Sequence, residues 1–279
     1  MGEDFLPPSV VVGVDGSRAA VRAALWAIDE AVSRDMPLRL VTAGQHAAES
    51  SGDQSPAGTA AARAVADTVR ATRRPVRVDI DVVSGTPVEV LVEASRTAAM
   101  VCVGAIGIHH FEHDRIGSTA TALAALAHCP VAIVRGTDRP APAQPGSVVV
   151  HLDQGPDSAA VLQFAVDEAR LREAPLRVLG SWQSHGADST PAPEGNRMVH
   201  AQLDRRLAQW RHRYPDLDVQ PVAVHGTVLD YLAENAAAVQ LMVIGSRNTP
   251  VVGELLSPSG LTTLGGDCSI VVVDPQRLL

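Results

Sequence analysis

The chain contains no lysine. All 23 of its basic residues are arginine, which excludes a Walker-type phosphate loop and any Schiff-base chemistry, because both need the ammonium group. Aromatic residues make up only 3% of the 279 positions, while 46% are hydrophobic. A core must therefore be assembled from valine, alanine, leucine and isoleucine, the palette of buried parallel strands covered by alanine-rich helices. Cysteine is scarce. Cys102, Cys129 and Cys268 have no metal-ligand spacing, and two of them sit in or beside apolar runs. They read as thiols in a reducing, cytoplasmic setting. No apolar run approaches membrane-spanning length, so no membrane partner is expected. The segment Met1 to Pro8 is acidic and has no apolar core, which argues against a signal peptide, and Leu6 breaks the myristoylation pattern. The net charge of −8, with arginines scattered rather than striped, argues against a nucleic-acid groove.

The most specific motif is a glycine constellation. Gly104-x-x-Gly107 is followed by a nine-residue spacer, then Gly117-Ser118-Thr119. It comes after the apolar run Met100-Val101-Cys102-Val103 and before an alanine-rich helical stretch from Thr119 to His128. Strand, glycine loop and helix start in that order make an anion site. Loop and helix N–H groups converge on one spot, and glycine lets the backbone approach a phosphate. Tight strand-to-helix turns also need glycine, and that plainer reading stands beside the first.

The chain is written twice. Ser9 to Asp15 (SVVVGVD) matches Ser147 to Asp153 (SVVVHLD), and Val101 to Gly104 matches Met242 to Gly245. Gly85 matches Gly226, and Cys129 with its following strand matches Cys268. The offsets run between 138 and 141 residues. Residues 1–136 and 147–279 are thus two copies of one unit, joined by a Pro- and Ala-rich linker over 137–146. In the first copy, strands are expected at 9–15, 38–43, 76–83, 100–104 and 130–135. Helices are expected at 17–33 with Ser17 as N-cap, at 57–73, and at 87–97 with Pro87 in the first turn. This alternation implies an α/β fold of two repeated doubly wound domains, each a five-stranded parallel sheet of Rossmann-like or flavodoxin-like kind. Ligands bind such sheets at the carboxyl ends of the strands, where Asp15, Val41 to Ala43 and the Gly104 loop fall. The polar stretch between Gly44 and Gly58 sits at the same edge, as a plain loop or as a lid.

These residues resemble the universal stress protein family in its tandem two-domain form. The likeness rests on Val11 to Ser17, Ser84 to Pro87, the Gly104-x2-Gly107-x9-Gly117-Ser118 pattern and His128 to Val134, and it covers nearly the whole chain. The glycine pattern is that of the family's ATP-binding, adenine nucleotide α-hydrolase-like branch. The resemblance implies that Asp15 contacts the adenosine part and that backbone near Val41 meets the adenine. It implies that Gly104, Gly107, Gly117, Ser118 and Thr119 hold ribose and phosphates, with ATP and Mg as the ligands. It further implies pairing through the last strands, 130–135 and 269–273, either within the chain or between chains as a homodimer. Other protein partners are left unspecified.

The second copy departs from the pattern. Gly245 stands, but Asn248 takes the next glycine position and the third falls near Pro258. Asn248 carries a Cβ where close approach is needed, and Pro258 has no N–H to offer a phosphate. The second site is therefore expected to be degenerate, with Ser259 as a helix cap. An alignment shifted through Gly253 and Gly260 is the alternative.

Several side chains carry two readings. Asp15 is either a ligand contact or a turn former, and its twin Asp153 persists where the glycines do not. His109, His110 and His113, with Glu112 and Asp114, are a solvated loop, a zinc cluster or a phosphate-facing group. Arg115 and Arg135 either neutralise phosphate charge or lie in solvent. A Cys129–Cys268 redox pair would need Cα atoms within about 7 Å. The expected function is a nucleotide-dependent stress-response regulator, with a segment such as 105–118 ordered by phosphate. It is not expected to be an efficient enzyme. The alternatives are a slow ATP hydrolase, a nucleotide-transferring enzyme, or a scaffold with a structural nucleotide.

Overall fold

The computed structural model describes residues 7–44, 56–106, 116–136, 146–153, 155, 158–183, 192–264 and 267–277. It divides the chain into two units, one drawn from Met1–Gly136 with the last three residues and one from Thr137–Gln276. The Gly44–Gly58 stretch lies outside the described residues over 45–55, as does the linker over 137–145.

The first unit alternates strand and helix: β1 (Ser9–Gly13), α1 (Arg18–Ser33), β2 (Leu38–Gly44), α2 (Pro56–Ala71), β3 (Val78–Ser84), α3 (Pro87–Ala94), β4 (Ala98–Gly104), α4 (Ser118–Leu126) and β5 (Val131–Val134). Its strands lie in the order β3-β2-β1-β4-β5, with every neighbouring pair parallel. The second unit runs β6 (Ser147–His151), α5 (Ser158–Leu171), β7 (Leu176–Trp182), α6 (Ala192–Arg213), β8 (Val219–His225), α7 (Val228–Asn235), β9 (Val239–Gly245), α8 (Thr249–Leu255), α9 (Pro258–Leu264) and β10 (Ser269–Val273). Its order is β8-β7-β6-β9-β10, again parallel throughout. Each unit is the five-stranded, doubly wound sheet that the alternation of apolar runs predicts.

The aromatic-poor composition shapes the packing. Val10, Val11 and Val12 of β1 are fully buried, and so are Ala23, Ala24, Ala27 and Ala31 of α1. An alanine face lets a helix lie close to the sheet. At Gly104 the approach is so close that an added methyl would stand 2.6 Å from Ala19 Cβ and 2.7 Å from its carbonyl carbon. Helix packing alone therefore requires glycine at the end of β4.

The strand expected over 9–15 leaves the sheet early, after Gly13. Its last rung is the Val14 N–H donating to Val41 O at 2.8 Å. Asp15 Oδ1 then accepts from the Ser17 N–H at 2.9 Å, and Gly16 takes a φ of +85°, which L side chains resist. Ser17 caps α1, its Oγ accepting from the Ala20 N–H at 3.1 Å. Pro87 does sit in the first turn of α3, behind a reciprocal capping box of Thr86 and Glu89. The second unit repeats that box with Thr227 and Asp230.

Candidate functional site

In each unit the chain switches direction across the sheet between two central strands, β1 and β4 in the first and β6 and β9 in the second. Their carboxyl ends form the crevice where doubly wound folds take ligands.

In the first unit, Gly117 is the N-cap of α4 and, among the described residues, no side chain caps the helix. Its N–H donates to Ala105 O at 2.8 Å, which ties the helix start to the end of β4. The first-turn N–H groups of Ser118 and Thr119 thus begin an uncapped helix beside the strand's carboxyl end, carrying the positive end of the helix dipole. Val41 is buried in β2, and its carbonyl is spent on the rung from Val14. Ala43 lies two residues on and faces the β1 side by the same alternation, past the point where β1 has ended. Asp15 lies exposed at the lip. Gly107 lies outside the described residues, as do His109, His110, Glu112, His113, Asp114 and Arg115. Arg135 follows β5 at the same edge and is half-buried.

The second unit keeps the turn and changes the rest. Asp153 Oδ1 accepts from the Gly155 N–H at 2.9 Å, the same two-residue turn that Asp15 makes. A requirement for this turn explains why aspartate stands in both halves. Arg206 of α6 donates to Asp153 O at 3.1 Å and also to Ser158 Oγ, clamping the entry to α5.

The helix start that answers Gly117-Ser118-Thr119 is closed. Pro258 opens α9 without an N–H, and Ser257 Oγ accepts from the Gly260 N–H at 3.1 Å. The cap is thus Ser257 rather than Ser259, whose hydroxyl lies 3.0 Å from that of Ser257. Gly260 answers to packing, since an added methyl would lie 2.2 Å from Glu254 O of α8. Among the described residues, nothing lies within 4 Å of a methyl built on Gly253.

A polar trio stands at the same edge. His151 ends β6 at the place Gly13 holds in β1, and it is buried. Asn248 Nδ2 lies 3.0 Å from His151 Nδ1, and His151 Nε2 lies 3.0 Å from Ser181 Oγ. An amide NH2 can only donate, so Nδ1 accepts and the Nε2–H donates to Ser181. Burial pushes the His151 pKa below its ordinary value, with the charge of Asp153 opposing in part. Both arguments give a neutral imidazole. By the repeat, Ser181 and Asn248 stand where the first unit has Ala43 and Gly107. Glycine-to-polar exchanges at two points of one sheet edge were a legible signal. Their hydrogen bonding was not, because the partners lie far apart in sequence. A cleft of about 220 Å³ opens here, lined by His151, Asp153, Ser158, Val161, Gly245 and Asn248 among others.

The three cysteines are buried thiols outside any disulfide, and burial pushes the Cys129 thiol up to about 12. A thiol so hard to ionise is a packing group rather than a nucleophile.

Two copies of a doubly wound sheet, each with its switch point between two central parallel strands, define a duplicated α/β protein. The universal stress protein family model matches residues 8–135 and again 146–270, and the chain belongs to that family. Universal stress protein Rv2028c of Mycobacterium tuberculosis (strain ATCC 25618 / H37Rv) is 43% identical over 285 aligned residues that cover 100% of both chains. Universal stress protein Rv2624c of the same strain is 39% identical, covering 95% of this chain and 96% of the relative. Among solved structures, a universal stress protein from Archaeoglobus fulgidus DSM 4304 superposes with a TM-score of 0.65 at 14% identity, covering 97% of each chain. That likeness is one of fold. Among the described residues, no helix is long and apolar enough to cross a membrane.

Proposed function

We propose that the chain is a nucleotide-dependent stress-response regulator whose first unit holds ATP and whose second does not accept a triphosphate. The observation that carries this reading is the contrast between two helix starts at equivalent places. At α4 the cap is a glycine with no side chain and, among the described residues, no side chain caps the first turn; at α9 the cap is Ser257 and the first residue is proline. An anion gains from the first arrangement and finds no welcome in the second.

In the first unit the N–H groups of Ser118 and Thr119 would take phosphate oxygens, and Gly104 and Gly107 would leave the backbone free to approach. Asp15 would meet the ribose or a phosphate-bound Mg. The adenine edge would meet the β2 backbone beyond Val41, at Ala43, where the β1-facing groups lie past the last rung. Bound Mg would supply charge neutralisation that a lysine-free loop does not. A difference in affinity between two states of the chain would let ATP alter self-association or partner binding. Pairing through the last strands, and a cytoplasmic location, belong to the same reading. Efficient turnover does not, because phosphoryl transfer asks for a base, a metal-holding carboxylate and cationic stabilisation together.

The test is the nucleotide content of freshly purified protein, measured on the denatured supernatant by ion-exchange chromatography. About one ATP or ADP per chain is the expected result. No nucleotide, and no binding on addition of Mg-ATP, overturns the reading. Hydrolysis faster than about one turnover per second would replace it with an enzyme.

A further inference from the structure

β3 ends the sheet of the first unit and β8 that of the second. In β8 the Leu176 N–H donates to Asp218 O and the Gly226 N–H to Trp182 O, and this alternation turns the backbone groups of Val219, Pro221, Ala223 and His225 away from β7. That outward row is blocked twice. Pro221 has no N–H, and Arg211 of α6 donates from Nε and Nη2 to Val219 O at 3.1 and 3.0 Å. In β3 the Leu38 N–H donates to Arg77 O and the Gly85 N–H to Gly44 O, so Val78, Ile80, Val82 and Ser84 turn outward. By the repeat, Ile80 stands where β8 has Pro221. Among the described residues, no hydrogen bond takes up the outward N–H and C=O groups of Val78, Ile80, Val82 and Ser84. A row of this kind is a template for another strand.

We propose that β3 is a self-association edge, pairing antiparallel with β3 of a second copy about a twofold axis at Val82. Val82 would face Val82 of the partner subunit, and Ile80 would face Ser84 of the partner subunit, each pair exchanging both backbone bonds. This register sets Asp81 opposite Val83 of the partner subunit and Asp79 opposite Gly85 of the partner subunit. A twofold at Asp79, Ile80 or Asp81 would instead bring like charges face to face. Two features of α2 select a second copy over a free peptide. The helix packs against β2 and β3, with α1 along its other flank. An axis between β2 and β3 lies about half of the ~4.8 Å strand spacing inside the edge, so edge pairing would set two α2 helices ~10 Å apart, the separation of packed helices. The exposed stripe of α2 is Ala60, Arg63, Ala64 and Asp67, at the spacing of one helix face. Its alanines admit a close neighbour, and in an antiparallel helix pair Arg63 meets Asp67 of the partner subunit in both directions. Asp67 holds Arg70 of its own helix at 3.2 Å with its side chain still 75% exposed, which leaves room for a second arginine. The pairing uses the first unit alone and makes no use of the last strands.

The test is sedimentation velocity of the full-length chain over a concentration series. The expected result is a reversible self-association in the micromolar range, as suits an interface at the small end of the specific class. Ile80→Pro copies the β8 block into β3 and should abolish that association, because the N–H it removes serves no bond within the fold. Arg63→Asp should raise the dimer Kd about tenfold, since twofold symmetry counts each exposed ion pair twice. The charge swap Arg63→Asp/Asp67→Arg should restore it. A chain that stays monomeric at every concentration overturns the proposal. A dimer that neither single variant weakens overturns it as well, and places self-association at another surface. If Ile80→Pro lowers the melting temperature so far that the chain unfolds, the charge swap decides. No weakening in Arg63→Asp, or no recovery in the double variant, then overturns the pairing.

Discussion

Gly117 carries two demands that a substitution can separate. It caps α4 without a side chain, leaving first-turn donors for an anion. Aspartate is the better cap, by a few tenths of a kcal/mol over glycine, but it would set a negative charge where a phosphate belongs. Gly117→Asp should therefore hold or raise the melting temperature while titration calorimetry shows ATP binding lost. Retained ATP affinity would mean that the nucleotide sits elsewhere. His151 gives a second prediction at this scale. Its pKa in the fold is below the ordinary 6.5 because of burial, so below that pH the unfolded chain binds more protons than the folded one. The contribution of His151 is whole above about pH 6.5 and is lost as pH falls toward the folded value. Urea titrations from pH 7.5 to 5 should show a shallower acid decline for His151→Gln than for the parent. Equal slopes would mean that the imidazole is not held neutral in the fold.

Elements repeat more faithfully than sites. Glu30 in α1 is fully buried with Arg34 four residues on, and Glu168 in α5 is 1% exposed with Arg172 likewise. Each arginine also donates to the backbone carbonyl of its glutamate, so the pair closes its own helical turn. Removing one partner of such a pair leaves a buried charge without its counter-ion, at about 3–5 kcal/mol. Arg172→Ala should show that loss in denaturant unfolding, and the double variant Glu168→Leu/Arg172→Met should recover most of it. A single variant that costs under about 1 kcal/mol would demote the pair to the surface class. Periodicity could not single out these pairs, because a glutamate on a helix is ordinarily on the solvent face.

For the whole molecule, ATP should stabilise one unit and not the other. At a hundredfold excess over its Kd, a ligand adds about 2.7 kcal/mol to whatever binds it. Hydrogen exchange of the full chain with ATP should therefore slow around Gly104 and α4, and leave α9 and β9 unchanged. Protection spread equally over both would contradict the contrast between the two helix starts. The duplication, the two parallel sheets and the carboxyl-end edges at their switch points were legible in the sequence because each depends on a local periodicity or a repeated motif. Gly117 and Pro258 were legible for the same reason, since a missing side chain or a missing N–H acts on its own backbone. Whether Asp15 is a turn former as well as a lip residue needed the 2.9 Å bond to Ser17. Sealing of α9 needed Ser257 set against Gly260. The chain from Ser181 through His151 to Asn248 joins three segments up to 97 residues apart, and Gly104 owes its glycine to Ala19 on another element. Local chemistry and repetition are written along the chain, and so the sequence by itself determined the family and the architecture. The content of each cleft depends on which distant side chains the sheet brings within hydrogen-bonding distance, and that only the tertiary structure decided.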